Sequence, residues 1–434
     1  MVRLSYFAAQ EIPAALLTFV SLLLFIQTGT SPALSTMYSA LLSVPWMTKT
    51  WIRQTHPAKP GRALLLCESA MVLVLLLLAA ALSPSSPLSH LMNVGSGNGI
   101  SLFTLLFVLS LSTAWHEILA DNYYHDQLKP RIRRFYDAPR LFVSQTIVVV
   151  TYGVLIIFIG TMQVLTRSIL VSWTTAFIVL ASVMLLFVLW HLPSSSNTSE
   201  TSKHGRTTHP PLSAKVSVLL FLFFLPQALM FYTRVIFLLS TKEQGGLSRS
   251  LQDVGFVHGV IGALAFSLGL VVSRSFVSKR MHKTSVGRRK VRYSQYALPQ
   301  GVPSLFSLID GRVLLRFLPL LLSPILYCYM SYFPPKMLWQ IAVCTFLAQF
   351  MFGYGMHRLL SFLGLPASIG LRVPVVAAVL FVPLALSGWI VGIMDFQTFF
   401  LIDSLTALLP LIYVAAVRAV NRGVQRDQEA TSNP

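Results

Sequence analysis

The chain has 434 residues, 55% of them hydrophobic and only 11% charged. A water-soluble protein carries about 25% charged residues, so the composition excludes a soluble globular domain and points to an all-α, polytopic membrane protein. The net charge of +19 at pH 7 does not mark a nucleic-acid binder, because the basic residues are scattered over loops between apolar runs, where they set topology and attract anionic lipid. Cys67, Cys328 and Cys344 lie in apolar runs with neither CxxC nor metal spacing, so no metal site is expected.

A helix needs about 20 apolar residues to cross a bilayer. Twelve segments qualify: 7–27, 33–52, 63–83, 100–120, 140–163, 168–191, 215–239, 254–274, 312–332, 336–361, 371–393 and 396–417. The first is read as a retained helix, since Glu11 and Pro13 interrupt it and no small-residue cleavage site follows. With the N-terminus in the cytoplasm, 28 of the 33 Lys and Arg residues fall on the cytoplasmic side. This asymmetry predicts twelve spans with both termini inside. The Ser/Thr-rich stretch Pro193–Ser213 is a flexible linker by composition. It divides the chain into an N-terminal six-helix half (1–192), a linker (193–213), a C-terminal six-helix half (214–420) and a cytoplasmic tail (421–434). Two six-helix halves are the arrangement of the major facilitator fold. A second basic stretch, Arg274–Arg292, suits contact with lipid headgroups.

The fourth span ends in Thr113-Ala-Trp-His-Glu-Ile-Leu-Ala-Asp-Asn-Tyr-Tyr124. Glu117 and Asp121 are four apart and share a helix face. Acids at membrane depth cost at least a few kcal/mol each and usually face a cavity. Glu117 is the first candidate for proton coupling, against a structural pairing with a neighbouring base. Asp121 lies nearer the cytoplasmic end, close to Lys129 and Arg131, and suits either coupling or a gate salt bridge. His116 suits proton relay or a bond across the bundle. Glu11 and Glu68 are gate candidates: Glu11 sits on the opening turn of the first span, and Glu68 is expected to pair with a base of the adjacent loop. Arg234, inside the seventh span, either snorkels or grips a substrate carboxylate or phosphate. Gln145, Gln227, Tyr232 and Gln349 suit a sugar or peptide if they face inward, and otherwise serve as interhelical glue. Asp403 is a second, motif-free coupling candidate. Gly255, Gly259, Gly262 and Gly269 have the spacing of close helix packing.

Four stretches carry a resemblance: Tyr6-Phe7-Ala-Ala-Gln-Glu-Ile-Pro13, Tyr38-Ser-Ala-Leu-Leu-Ser-Val-Pro-Trp46, the motif at 113–124, and Glu243-Gln-Gly-Gly-Leu247 followed by Leu251-Gln-Asp-Val-Gly-Phe-Val-His-Gly259. Taken in order they resemble AmpG-type muropeptide permeases of the major facilitator superfamily. The resemblance covers residues 6–275 closely and the remainder loosely. It implies a monomeric symporter of the bacterial inner membrane that needs no cofactor and moves a sugar–peptide with protons. The chain departs from that pattern in three places. Glu117 stands where the family has Asp, the loop 53–62 lacks an acid, and Gln227 replaces a frequent Glu.

No phosphate loop, GxSxG or HExxH is present, so no enzyme is expected. The reading is a secondary transporter working by alternating access. The alternative is a non-transporting binding or scaffold protein on the same fold, which the missing loop acid and Gln227 favour.

Overall fold

A chain in lipid must satisfy its backbone polar groups internally, which leaves helices as the means of crossing. The computed structural model describes residues 4–49, 60–92, 99–127, 130–194, 214–285, 317–362, 374–417 and 419, and contains no strand among them. The loop at 50–59, the linker from 195 to 213, the basic stretch beyond 285 and the tail from 421 lie outside the described residues.

Each of the twelve expected segments carries a helix. The first six are α1 (Ser5–Gln27), α2 (Pro32–Leu41), α3 (Pro60–Leu82), α4 (Ile100–Gln127), α5 (Pro139–Thr166) and α6 (Ile169–His191). The others are α7 (Ala214–Leu239), α8 (Leu251–Ser275), α9 (Leu318–Tyr332), α10 (Leu338–Phe362), α11 (Pro374–Ile393) and α12 (Phe396–Val417). Nine helices among the described residues are long and apolar enough to span a membrane, whereas α9 and the apolar part of α11 are shorter.

The second span differs most from expectation. Helix α2 starts cleanly because Ser31 caps it, accepting from the Leu34 N–H at 3.4 Å, and Pro32 occupies the first turn. It then stops at Leu41 instead of running on, and a short helix, Val44–Met47, follows. Pro45 explains the break: it lacks an N–H and its ring clashes with the carbonyl four residues earlier. The carbonyl of Leu42, freed at the break, accepts a 2.6 Å hydrogen bond from Ser110 Oγ of α4. That bond seats the broken segment on α4 and turns Trp46 and Lys49 towards it.

Three helices widen locally into π turns, at Leu16–Val20 in α1, Val150–Val154 in α5 and Gly255–Gly262 in α8. Such turns are rare and concentrate at functional sites. All three meet: Thr18 Oγ1 bonds Tyr152 Oη at 2.6 Å, and Phe19 packs on both Tyr152 and His258. Gly259 makes the crossing possible, because a Cβ there would lie 1.9 Å from the Tyr152 carbonyl oxygen.

The chain forms two compact units. The first comprises residues 1–209, 231–264 and 371–395, so it holds α1 to α6, the end of α7, the start of α8, and α11. Within it α3 packs on α4 and α6, and α11 packs on α2. The second comprises 210–230, 265–370 and 396–434. Its centre is α9, packed on α10 and α12, with Tyr327 stacked on Phe400 at 5.8 Å.

Candidate functional site

The Glu117 side chain is fully buried. Its Oε2 accepts the Trp46 indole N–H at 2.8 Å, and Lys49 Nζ lies 3.0 Å from Oε1. Trp46 and Lys49 are three apart on the segment after the α2 break, so both reach the same face of α4. Lys49 also contacts Asp121 Oδ2 at 3.3 Å, and Arg140 Nη2 of α5 donates to Asp121 Oδ1 at 2.7 Å. Arg140 in turn lies 3.9 Å over the Phe7 ring of α1. Four helices are therefore tied by one buried network of alternating charge. Of the two candidates in the sequence motif, Glu117 is sealed and Asp121 is half-buried.

One residue earlier on α4, His116 points elsewhere. Its Nε2 lies 3.1 Å from Glu68 Oε1, and His191 Nδ1 of α6 lies 2.8 Å from both oxygens of Glu68. The loop at 50–59, which holds bases expected to pair with Glu68, lies outside the described residues; among those described Glu68 lies between two imidazoles, all three groups essentially without solvent contact. His191 Nε2 meets Ser5 Oγ at 2.7 Å, and its ring stacks on Tyr6 at 4.0 Å. Glu11, the other gate candidate, is buried on α1.

The π turn of α1 lines a cavity of about 30 Å³, whose walls are Leu17, Thr18, Ser39, Leu42, Ser43, Trp46, Phe231, Tyr232, Leu380 and Leu384. Its walls are rings and aliphatic chains with a few hydroxyls, the usual make-up of a small-molecule site. Trp46 belongs to both features: its ring lines the cavity and its N–H holds Glu117. Tyr232, a substrate candidate, is in the wall. Arg234 is buried, with its guanidinium 4.9 Å from the Phe231 ring, so it does not reach outward to water. His258 is buried with Nδ1 lacking a hydrogen-bond partner among the described residues.

The remaining candidates are dispersed. Gln145 on α5 is half-buried. Gln227 and Gln349 belong to the second unit. Gln227 Nε2 donates to the Leu320 carbonyl at 2.9 Å and to Ser323, while its Oε1 and the Gln349 Nε2 are buried without partners among the described residues. Asp403, also in the second unit, is buried with neither oxygen bonded among the described residues. No group of His, Cys, Asp and Glu among the described residues is arranged to hold a metal ion.

No family profile and no curated sequence matches the chain. Solved structures do. A variant of the nucleoside transporter NupG matches with a TM-score of 0.57 at 12% identity, covering 95% of this chain and 98% of that one. A bacterial homologue of the human lysosomal transporter Spinster, inward-facing and unoccupied, aligns at 12% identity over 94% of this chain and 96% of that one, with a TM-score of 0.43. The chain has the major facilitator fold.

The sequence reading missed several groups of this facilitator fold. Lys49 and Arg140 were counted only as cytoplasmic topology charges, although a lysine closing an apolar segment and an arginine opening another were visible signals. Trp46 was read as part of a motif without a role. His191 offered no local signal, because its partner Glu68 lies 123 residues away.

Proposed function

We propose that the protein is a secondary transporter of a cell membrane that couples uptake of a small polar solute to protons. The observation that carries this reading is the double role of Trp46, whose ring lines the cavity while its N–H bonds the buried carboxylate of Glu117. A solute pressing on the indole and a proton arriving at Glu117 act on the same group. Protonation removes one of the two charges that attract Lys49, which loosens α4 from the broken second span and supports rocking by alternating access. Asp121 retains Arg140 and serves as the gate partner, with Glu11 and Glu68 as further gate candidates.

The cavity now has room for about one or two waters, far below the 300–1,000 Å³ that small-molecule sites occupy. Transport therefore requires it to widen. The rings of Trp46, Phe231 and Tyr232, with the hydroxyls of Thr18, Ser39 and Ser43, suit a solute with a ring face and several hydroxyls. A sugar–peptide fragment of cell wall fits that description, as the resemblance to muropeptide permeases implies, and a nucleoside fits it too. Arg234, held close to the cavity by Phe231, suits a carboxylate on the solute. Gln145 is a further candidate for its polar groups, whereas Gln227 and Gln349 belong to the second unit and are given no part in this cavity. The bacterial inner membrane, cytoplasmic termini, a monomeric state and the division into two six-helix halves at the 193–213 linker belong to the same reading.

Uptake of labelled anhydromuropeptide and of nucleosides into proteoliposomes under an inward proton gradient tests it. Wild type is expected to accumulate one class. Glu117→Gln is expected to lose gradient-driven accumulation while keeping solute exchange across equal pH. Unchanged accumulation by Glu117→Gln removes the coupling role. No movement of any candidate by wild type favours the alternative of a binding or scaffold protein on this fold.

A further inference from the structure

We propose that Glu68, His116 and His191 form a second proton-binding site, separate from Glu117, with Ser5 as its entry. Lys49 and Arg140 reach Glu117 and Asp121, and neither bonds Glu68. Among the described residues the hydrogen-bonding partners of Glu68 are the two imidazoles. A carboxylate shut away from water needs a positive partner or a proton of its own. The triad therefore holds a proton that its members share, and such coupled groups titrate as a unit.

Geometry gives that proton a path. Ser5 is half-buried at the start of α1, and His191 ends α6. The line runs from Ser5 Oγ to His191 Nε2 at 2.7 Å, from His191 Nδ1 to Glu68 at 2.8 Å, and from Glu68 to His116 Nε2 at 3.1 Å. Ser5 passes its hydroxyl proton to His191 Nε2 and regains one from water. His191 releases its Nδ1 proton to Glu68, and Glu68 protonates His116 Nε2. One proton enters and one is held at His116. The far atom, His116 Nδ1, is buried and has no hydrogen-bond partner among the described residues. It is the open end of the line, one residue from Glu117. The other ionisable groups around the triad are Cys67 beside Glu68 on α3, Tyr6 stacked on His191 from α1, Tyr123 against Tyr6 from α4, and Glu117 and Asp121, already engaged by Lys49 and Arg140. None of these described groups supplies a cation to Glu68.

The purpose of the site, loading a proton for coupled uptake, rests on the proposed function; its existence does not. Solid-state NMR of ring-¹⁵N-histidine-labelled full-length protein in liposomes reads the site directly, with His116→Gln and His191→Gln assigning the two resonances. Both are followed across a pH series. Glu68→Gln is expected to move both midpoints by one pH unit or more, and His191→Gln to move the His116 midpoint. Ser5→Ala, which leaves the buried carboxylate intact, is expected to slow proton exchange at His191 several-fold and serves if Glu68→Gln does not fold. Two resonances that titrate independently, or that stay fixed across this series, overturn the proposal, as does Ser5→Ala exchanging like wild type. Coupled titration without gradient-driven uptake would leave the site standing and remove the symport reading. Uptake that persists with uncoupled histidines would do the reverse.

Discussion

Replacing Lys49 by Met keeps most of the stem and removes the ammonium that neutralises two buried acids. In the native arrangement Nζ lies 3.0 Å from Glu117 and 3.3 Å from Asp121, with about a tenth of the lysine side chain exposed. At an effective dielectric of about 20, a unit-charge pair at 3 Å is worth about 5 kcal/mol before desolvation is counted. The two acids are not left equally stranded. Asp121 keeps Arg140 at 2.7 Å, whereas Glu117 keeps the Trp46 indole but loses its nearest cation. Removing one partner of a buried pair typically costs 3–5 kcal/mol, because the other charge remains. Lys49→Met is thus expected to lose about 3–5 kcal/mol, and Lys49→Met/Glu117→Gln to recover at least half of it, since the neutral amide no longer needs a cation. Unfolding in mixed SDS micelles of the wild type, both single variants and the double variant gives the coupling energy. A sum of single effects that equals the double effect within about 0.5 kcal/mol, or a Lys49→Met protein as stable as wild type, would refute the reasoning.

Three further outcomes follow from the same geometry. Trp46→Phe keeps the ring against the cavity but deletes the N–H to Glu117. It is expected to cost about 1.5–3 kcal/mol, the range for a hydrogen bond to a charged group, and to lower uptake, both measurable on one preparation. Gly259→Ala places a methyl 1.9 Å from the Tyr152 carbonyl oxygen, in backbone that cannot swing aside. The π-turn crossing must then open, with an expected loss of about 1–3 kcal/mol or more in a thermal-unfolding assay. Gly392→Ala is the control, since nothing lies within 4 Å of its added methyl. A change within about 1 kcal/mol of wild type, in the stabilising direction that helix propensity favours, is expected there.

The span pattern was legible because lipid imposes one rule on every crossing segment. Twelve apolar runs became twelve helices, and the departures have local causes, such as Pro45 splitting the second span. The 113–124 motif was legible for the same reason: acids in an apolar run stand out. Partners were far less legible. Glu117 could be seen, and a neighbouring base was one reading of it, but nothing in the sequence singled out Lys49. The true partner comes 68 residues earlier, delivered by a helix break that only the packing of Ser110 on Leu42 makes sense of. Glu68 is a related case. A carboxylate near a loop suggests a loop base, and the two imidazoles that meet it come from 48 and 123 residues away. The glycine spacing on α8 did signal close packing, and Gly259 uses it against Tyr152. The π turn around it carried no residue signature at all, because it follows from how three helices meet.

The two acid sites on α4 and α3 answer different physical needs. Glu117 is held by a permanent cation and an indole, so its pairing is a latch: strong while charged, released when neutral. Glu68 is held by two imidazoles, so in the proposed second site its pairing acts as a store. His116 and Glu117 are chain neighbours, facing the store and the latch respectively. Severing the store at His191 should therefore slow the gradient-driven response of Glu117 without altering solute exchange, whereas severing the latch at Lys49 should alter both. Those two patterns, measured side by side in proteoliposomes, separate a protein that loads and then releases from one in which the acids merely hold helices together.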